Sequence, residues 1–230
     1  MTKKVVFCVP SLHGPTAPFI DSLEASIPLV IEAGWDEGAV EERGCPYISA
    51  ARAKMLRKAL DAKADVIVFL DYDLSWDPED LLTLIETEGE VVAGTYRYKK
   101  DELQYMGAIE TDARDRPITR ADGCIQAHSV PGGFLKITKG AVDRFMRGYP
   151  QLIYGVRYNP TIDLFNHGAY DGVWWGEDVA FSRNWRALGR DIWLVPDLNI
   201  NHHSAEKAYS GNFHRYLLMQ PGGSEYSEEK

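Results

Sequence analysis

The segment Val66-Ile67-Val68-Phe69-Leu70 constrains this chain most, because five consecutive apolar residues, three of them β-branched, leave no polar face for solvent. Such a run reads as a central parallel strand covered on both sides. It ends abruptly on Asp71-Tyr72-Asp73. In open α/β folds the carboxyl edge of the sheet is where ligands bind. Residues two apart in an extended chain point the same way, so Asp71 and Asp73 could share one hard divalent cation, magnesium or manganese, of the kind that also coordinates phosphates. The alternative is a solvated strand end whose aspartates serve turns and caps. Asp77 needs no chemistry: Pro78 suits a first helical position, and Glu79 and Asp80 suit a first turn.

The flanking sequence predicts alternation. "KKVVFCVPS" reads as a first strand, and "APFIDSLEASIPLVIEAG" as a helix interrupted near Pro28, followed by a stretch of no clear type. "YISAARAKMLRKALDAKA" is a helix, with Ala50, Ala53, Leu56 and Leu60 at helical spacing and Ser49 as its cap. A helix from Pro78 and a strand "EVVAGTYRY" complete a βαβαβ order with a mainly parallel sheet. The second half is less regular. Short strands are joined by polar turns at Asp115-Arg116-Pro117 and Asp122-Gly123, and a glycine pair precedes a strand and a helix from about Lys139. An acidic loop, a helix ended by Gly189, a strand and a histidine pair follow. Residues 220–230, polar and glycine-rich, read as a disordered tail.

At 230 residues and 45% hydrophobic content the chain can bury one substantial core. Cys8, Cys45 and Cys124 have no metal-type spacing and an odd count, which predicts neither a disulfide framework nor a structural zinc site and points to a reduced, cytoplasmic setting. The apolar run before Pro10 is too short for a signal sequence or membrane span. A formal charge of −9 argues against an extended basic nucleic-acid-binding face.

The order of motifs resembles that of nucleotide-sugar-dependent glycosyltransferases with the GT-A fold. The matching residues are the Asp-x-Asp of Asp71 and Asp73, Gly132-Gly133-Phe134, Gly176-Glu177-Asp178 and His202, within a similarity that runs from about Val5 to His203. Asp-x-Asp alone is a weak signal; four motifs in order carry more weight. The resemblance implies a single α/β, Rossmann-type domain over residues 1–219, with a mainly parallel sheet flanked by helices, a nucleotide-binding half over about 1–100 and a smaller, mixed acceptor-binding half over about 101–219. It implies transfer of a sugar, a hexose in the first instance, from a nucleoside-diphosphate sugar such as a UDP-sugar to an acceptor hydroxyl, with Mn2+ or Mg2+. It also suggests a small transferase standing alone, without a transmembrane segment or lectin-like domain.

By the same resemblance, Asp73 would be the direct metal ligand, Asp71 would face the ribose or the metal, and His202 would complete the site, with His203 as the alternate. Asp178 would be the general base and Glu177 would orient the acceptor; the plain alternative for both is favourable charge at a helix N-terminus. Pro10, Ser11 and Arg52 would meet the nucleotide. Gly132, Gly133, Trp174 and Trp175 would lie on the acceptor side, although a tryptophan pair serves equally well in a core. Arg97, Lys99 and Lys100 follow another strand and could neutralise phosphate or contact an acceptor, but a charge run of this sort reads first as solvated surface, and Met106 as packing. Two other functions fit the paired aspartates: a different metal-dependent nucleotidyltransferase or phosphohydrolase, and a nucleotide-sugar-binding module without turnover.

Overall fold

The computed structural model describes residues 2–156 and 159–220; the predicted tail beyond Gln220 lies outside them. The first half alternates as expected: β1 (Lys4–Ser11), α1 (Ala17–Glu32), β2 (Asp36–Arg43), α2 (Ile48–Asp61), β3 (Val66–Leu70), β4 (Leu74–Ser75), α3 (Pro78–Glu86) and β5 (Val91–Ala93). The second half comprises β6 (Ala108–Ile109), β7 (Ile125–Ser129), β8 (Phe134–Thr138), α4 (Lys139–Gly148), β9 (Ile153–Val156), β10 (Asn159–Ile162), β11 (Gly168–Tyr170), β12 (Val173–Trp175), α5 (Glu177–Ala187), β13 (Ile192–Leu194), β14 (Asn201–His203), β15 (Ala208–Tyr209) and α6 (Phe213–Leu218).

The main sheet has eight strands in the order β2-β1-β3-β8-β5-β13-β7-β6. Following the ladders from β1, only β8 and β7 run against the others, so six of the eight strands point one way. β3 lies inside the sheet, parallel to β1 on one side and antiparallel to β8 on the other. All five of its residues are buried. Ile67 and Phe69 join a core layer with α2, α4 and α5, through Met55, Leu56, Phe145, Phe181 and Trp185. Val66, Val68 and Leu70 join the opposite layer with α1 and α3, through Phe19, Val30, Leu81 and Leu84. An unbroken apolar run is what a strand sandwiched between two helical layers requires.

Several local expectations are corrected. α1 runs through Pro28 without interruption: one lost backbone hydrogen bond is outweighed by a helix that buries Phe19, Ser26 and Val30. The segment of no clear type after it is the edge strand β2. α2 starts two residues earlier than a Ser49 cap allows, with Tyr47 at the N-cap and Ser49 buried inside the helix. The acidic loop before α5 folds as the β11–β12 hairpin. Asp77 and Pro78 do open α3 as read.

Phe165 joins the lower core to the carboxyl edge of β3. Its ring meets Phe69 edge-on at 5.1 Å and stacks on Phe181 at 5.0 Å. Phe165→Ala should therefore destabilise the fold by about 3–5 kcal/mol, the usual result of deleting a fully buried aromatic ring, read as a fall in the urea midpoint. A loss below about 1 kcal/mol would show that the site edge does not depend on this layer.

Candidate active site

Immediately after β3 the chain turns. The N–H of Leu74 donates to the Asp71 carbonyl at 3.1 Å, so Asp71-Tyr72-Asp73 is a turn and the expected extended geometry is lost. The two carboxylates therefore do different things. Asp71 Oδ1 accepts from the Arg52 guanidinium at 2.8 Å, and its Oδ2 accepts from the Tyr96 hydroxyl at 3.3 Å. Both oxygens are thus engaged by the protein. Asp73 instead meets the Lys99 ammonium, and its Oδ2 lies 3.7 Å from His202 Nε2. Burial pushes the Asp73 carboxyl up, but His202 and Lys99 beside it outweigh burial and hold the group below the usual carboxylate range.

The histidine arrives by strand pairing. β4 follows Asp73 directly and pairs antiparallel with β14, placing His202 opposite Leu74. Side chains alternate along β14. His202 accordingly faces Asp73, while His203 Nε2 contacts Ser75 Oγ at 2.8 Å, and burial pulls the His203 ring below its ordinary range. His202 Nδ1 lies 2.8 Å from the Arg97 carbonyl. A carbonyl only accepts, so Nδ1 carries the proton, and in the neutral ring Nε2 presents its lone pair towards Asp73.

These residues fit a divalent cation. The 3.7 Å between Asp73 Oδ2 and His202 Nε2 is less than twice a metal–ligand bond of about 2.1 Å, and a backbone acceptor on the far nitrogen is the usual support for a ligating imidazole. Among the described residues no group of three or more His, Cys, Asp or Glu side chains is arranged around one point. Two protein donors suffice where substrate phosphates complete the shell, as is common for magnesium.

Arg52, expected at the nucleotide, is 2% exposed and turned into the protein interior. Its Nη1 donates to the Gly132 carbonyl at 2.6 Å, its Nη2 reaches Asp71 and lies 3.8 Å from Glu177 Oε1, and the rings of Phe69 and Phe165 flank it. Gly132 and Gly133 are both buried, and a Cβ on Gly133 would lie 2.2 Å from Asp71 Oδ2 and 2.3 Å from the Tyr96 hydroxyl. A glycine at 133 thus lets this strand end approach the two groups.

Glu177 and Asp178 open α5. Burial, and then the neighbouring Glu177 charge, push the Asp178 carboxyl above the usual aspartate range. Pro10 and Ser11 end β1, which lies beside β3; both are buried, with the Ser11 hydroxyl donating to Glu41 at 2.8 Å. Trp174 is 68% exposed on the β12 hairpin, and Trp175 Nε1 donates to the Tyr170 carbonyl at 3.2 Å. Sequence reasoning missed Tyr96 and set Lys99 aside as surface. Tyr96 is buried, and burial together with Asp71 raises its hydroxyl well above the usual range, so it remains a proton donor. The signal for both was their place just after β5, the strand that ends at the same sheet edge as β3.

The raised Asp178 carboxyl gives a signed expectation for stability. The folded state binds this proton more tightly than the unfolded chain, so the group lowers stability as pH rises through its elevated range. Asp178→Asn, which keeps the shape, should be more stable than the parent at pH 7 to 8, with the gain shrinking towards pH 4. Urea midpoints across that range test it, and a gain that grows in acid would refute it.

No protein-family model matches the sequence, and no curated protein does. Among solved structures the chain is similar to GalNAc-T7 with UDP, GalNAc and Mn2+, at a TM-score of 0.51 and 12% identity, over 88% of this chain and 44% of that one. This chain thus spans less than half the length of that protein. It is also similar to S. aureus TarS 1-349, at a TM-score of 0.45 and 11% identity, over 99% of this chain and 69% of that one. The likeness, with the helix-flanked and mainly parallel sheet, shows an α/β domain of GT-A-like fold.

Proposed function

We propose that the chain is a glycosyltransferase that moves a sugar from a nucleoside diphosphate, with a UDP-sugar as first candidate, to an acceptor hydroxyl. The observation that carries this reading is the division of labour at one sheet edge: Asp73 and His202 converge as a donor pair while Asp71 is locked to Arg52. A divalent ion, Mn2+ or Mg2+, held by Asp73 and His202 would supply positive charge to the departing diphosphate. Lys99, already on Asp73, adds a second cation on the same side. Arg52 ties Asp71 near Glu177, which fixes the start of α5 relative to the end of β3.

On the acceptor side Asp178 accepts the hydroxyl proton. Its raised affinity for a proton suits it to that role better than an ordinary surface carboxylate. Glu177, held near Arg52, orients the acceptor. A phosphohydrolase or nucleotidyltransferase would use Asp73 equally well but leaves the half-buried acid at α5 without a task.

Incubation with a panel of nucleotide sugars and Mn2+ tests the reading, with release of nucleoside diphosphate as the readout. Saturable binding without release would favour a binding module instead. Asp178→Asn should keep donor affinity within about twofold and lower acceptor-dependent transfer by about 100-fold or more. Glu177→Gln should chiefly raise the acceptor concentration needed. Near-parental transfer by Asp178→Asn would remove the base assignment.

A further inference from the structure

A groove of about 310 Å³ runs along one face of α5, lined by Trp175, Val179, Arg183, Arg186 and, from β7, His128 and Ser129. Val179, Arg183 and Arg186 lie four and three residues apart, which puts them on a single helical face. The groove starts at Trp175 and Val179, the residues that flank Gly176-Glu177-Asp178. Its two arginines are not equivalent. Arg186 meets Glu110 and donates to His128 Nδ1 at 2.9 Å, so its charge is offset and its donors are used.

Arg183 is held but not satisfied. Its guanidinium lies 4.6 Å from the centre of the Tyr170 ring and 5.8 Å from that of Trp175. Among the described residues its Nη1 is buried with no hydrogen-bond partner, and the carboxylate ion-paired with that same atom, Asp171 at 3.8 Å, is 94% exposed, a geometry worth little in water. Buried donors are normally paired, so an orphan one on an oriented, ring-stacked guanidinium calls for a partner. Guanidinium forks match planar or tetrahedral oxyanions.

We infer that this groove binds an oxyanion, phosphate or carboxylate, carried by the acceptor, with Arg183 as the residue that reads it. The inference rests on the glycosyltransferase reading for the word acceptor; oxyanion binding in the groove stands on the geometry alone. It names a substrate class: a hydroxyl compound with an anionic group on the α5 side of the reacting oxygen.

The test follows the Trp175 indole N–H by NMR during titration of the full chain with glycerol 3-phosphate, glycerate and glycerol. At least one anionic probe should shift that resonance while glycerol does not, and the stronger anion identifies the group. Arg183→Gln should weaken the response tenfold or more, Arg183→Lys less, and Asp171→Asn should tighten it by removing a competing carboxylate. Equal responses to all three probes, no response to any, or an Arg183→Gln variant that titrates like the parent would each overturn the inference. UDP binding with Mn2+, measured separately by thermal shift, should be the same in the parent and Arg183→Gln. Absence of UDP binding in the parent would defeat the glycosyltransferase reading and the word acceptor, and would leave the indole titration as the measure of oxyanion binding.

Discussion

The Arg52 guanidinium is a buried cation to which four parts of the chain are tied. It is carried by α2 and held through Nη2 by Asp71 at the end of β3 and through Nη1 by the Gly132 carbonyl before β8, with Glu177 at the start of α5 within 3.8 Å. Removing a guanidinium from water costs several kcal/mol, offset only if its hydrogen bonds and ion pairs are well made. Phe69 and Phe165 exclude water around it. The consequence is geometric: the strand end, the glycine approach and the candidate acid at α5 cannot shift independently. Arg52 thus joins these elements from the interior.

With Asp71 committed to that cation, Asp73 is the carboxylate of the pair left to act outward. The turn at residues 71–73 separates the two, and the pairing of β4 with β14 brings His202 across the rest of the chain to meet the freed group. The two aspartates of the motif therefore have different partners: Asp71 faces Arg52 and Tyr96, and Asp73 faces Lys99 and His202. The distinction arises from the backbone turn and not from the side chains, which are identical.

The fold was largely legible in the sequence because its strongest signals are local. The unbroken apolar run of β3, the proline and acids opening α3, and the helical spacing in α2 each dictate their own element. Pro28 misled because helix interruption is judged locally, whereas burial of one face of α1 decides it. The insertion of antiparallel β8 between β3 and β5 could not be read from pattern, since a buried strand looks alike in either direction.

Of the candidate site, the sequence placed Asp73, His202, Glu177 and Asp178 in recognisable motifs, and strand alternation along β14 turns His202 rather than His203 towards the Asp73 carboxylate. Arg52 and Gly133 were assigned to ligands, yet they contact each other's neighbours in the interior, because burial is a property of the packed layers that no short motif encodes. Tyr96 was missed and Lys99 set aside although both follow the predicted strand β5, because it is only once the strands are paired that β5 is seen to end at the same sheet edge as β3.

The central claim is that Asp73 and His202 form one donor pair from which Asp71 and His203 are excluded. Binding of Mn2+ in the presence of UDP, measured by the loss of free-ion signal in electron paramagnetic resonance, tests it most directly. The account predicts that Asp73→Asn abolishes high-affinity binding, that His202→Ala weakens it by about tenfold or more, in line with loss of a ligand or its support, and that His203→Ala leaves it within about twofold. Unchanged Mn2+ affinity in Asp73→Asn, or a larger loss in His203→Ala than in His202→Ala, would contradict it.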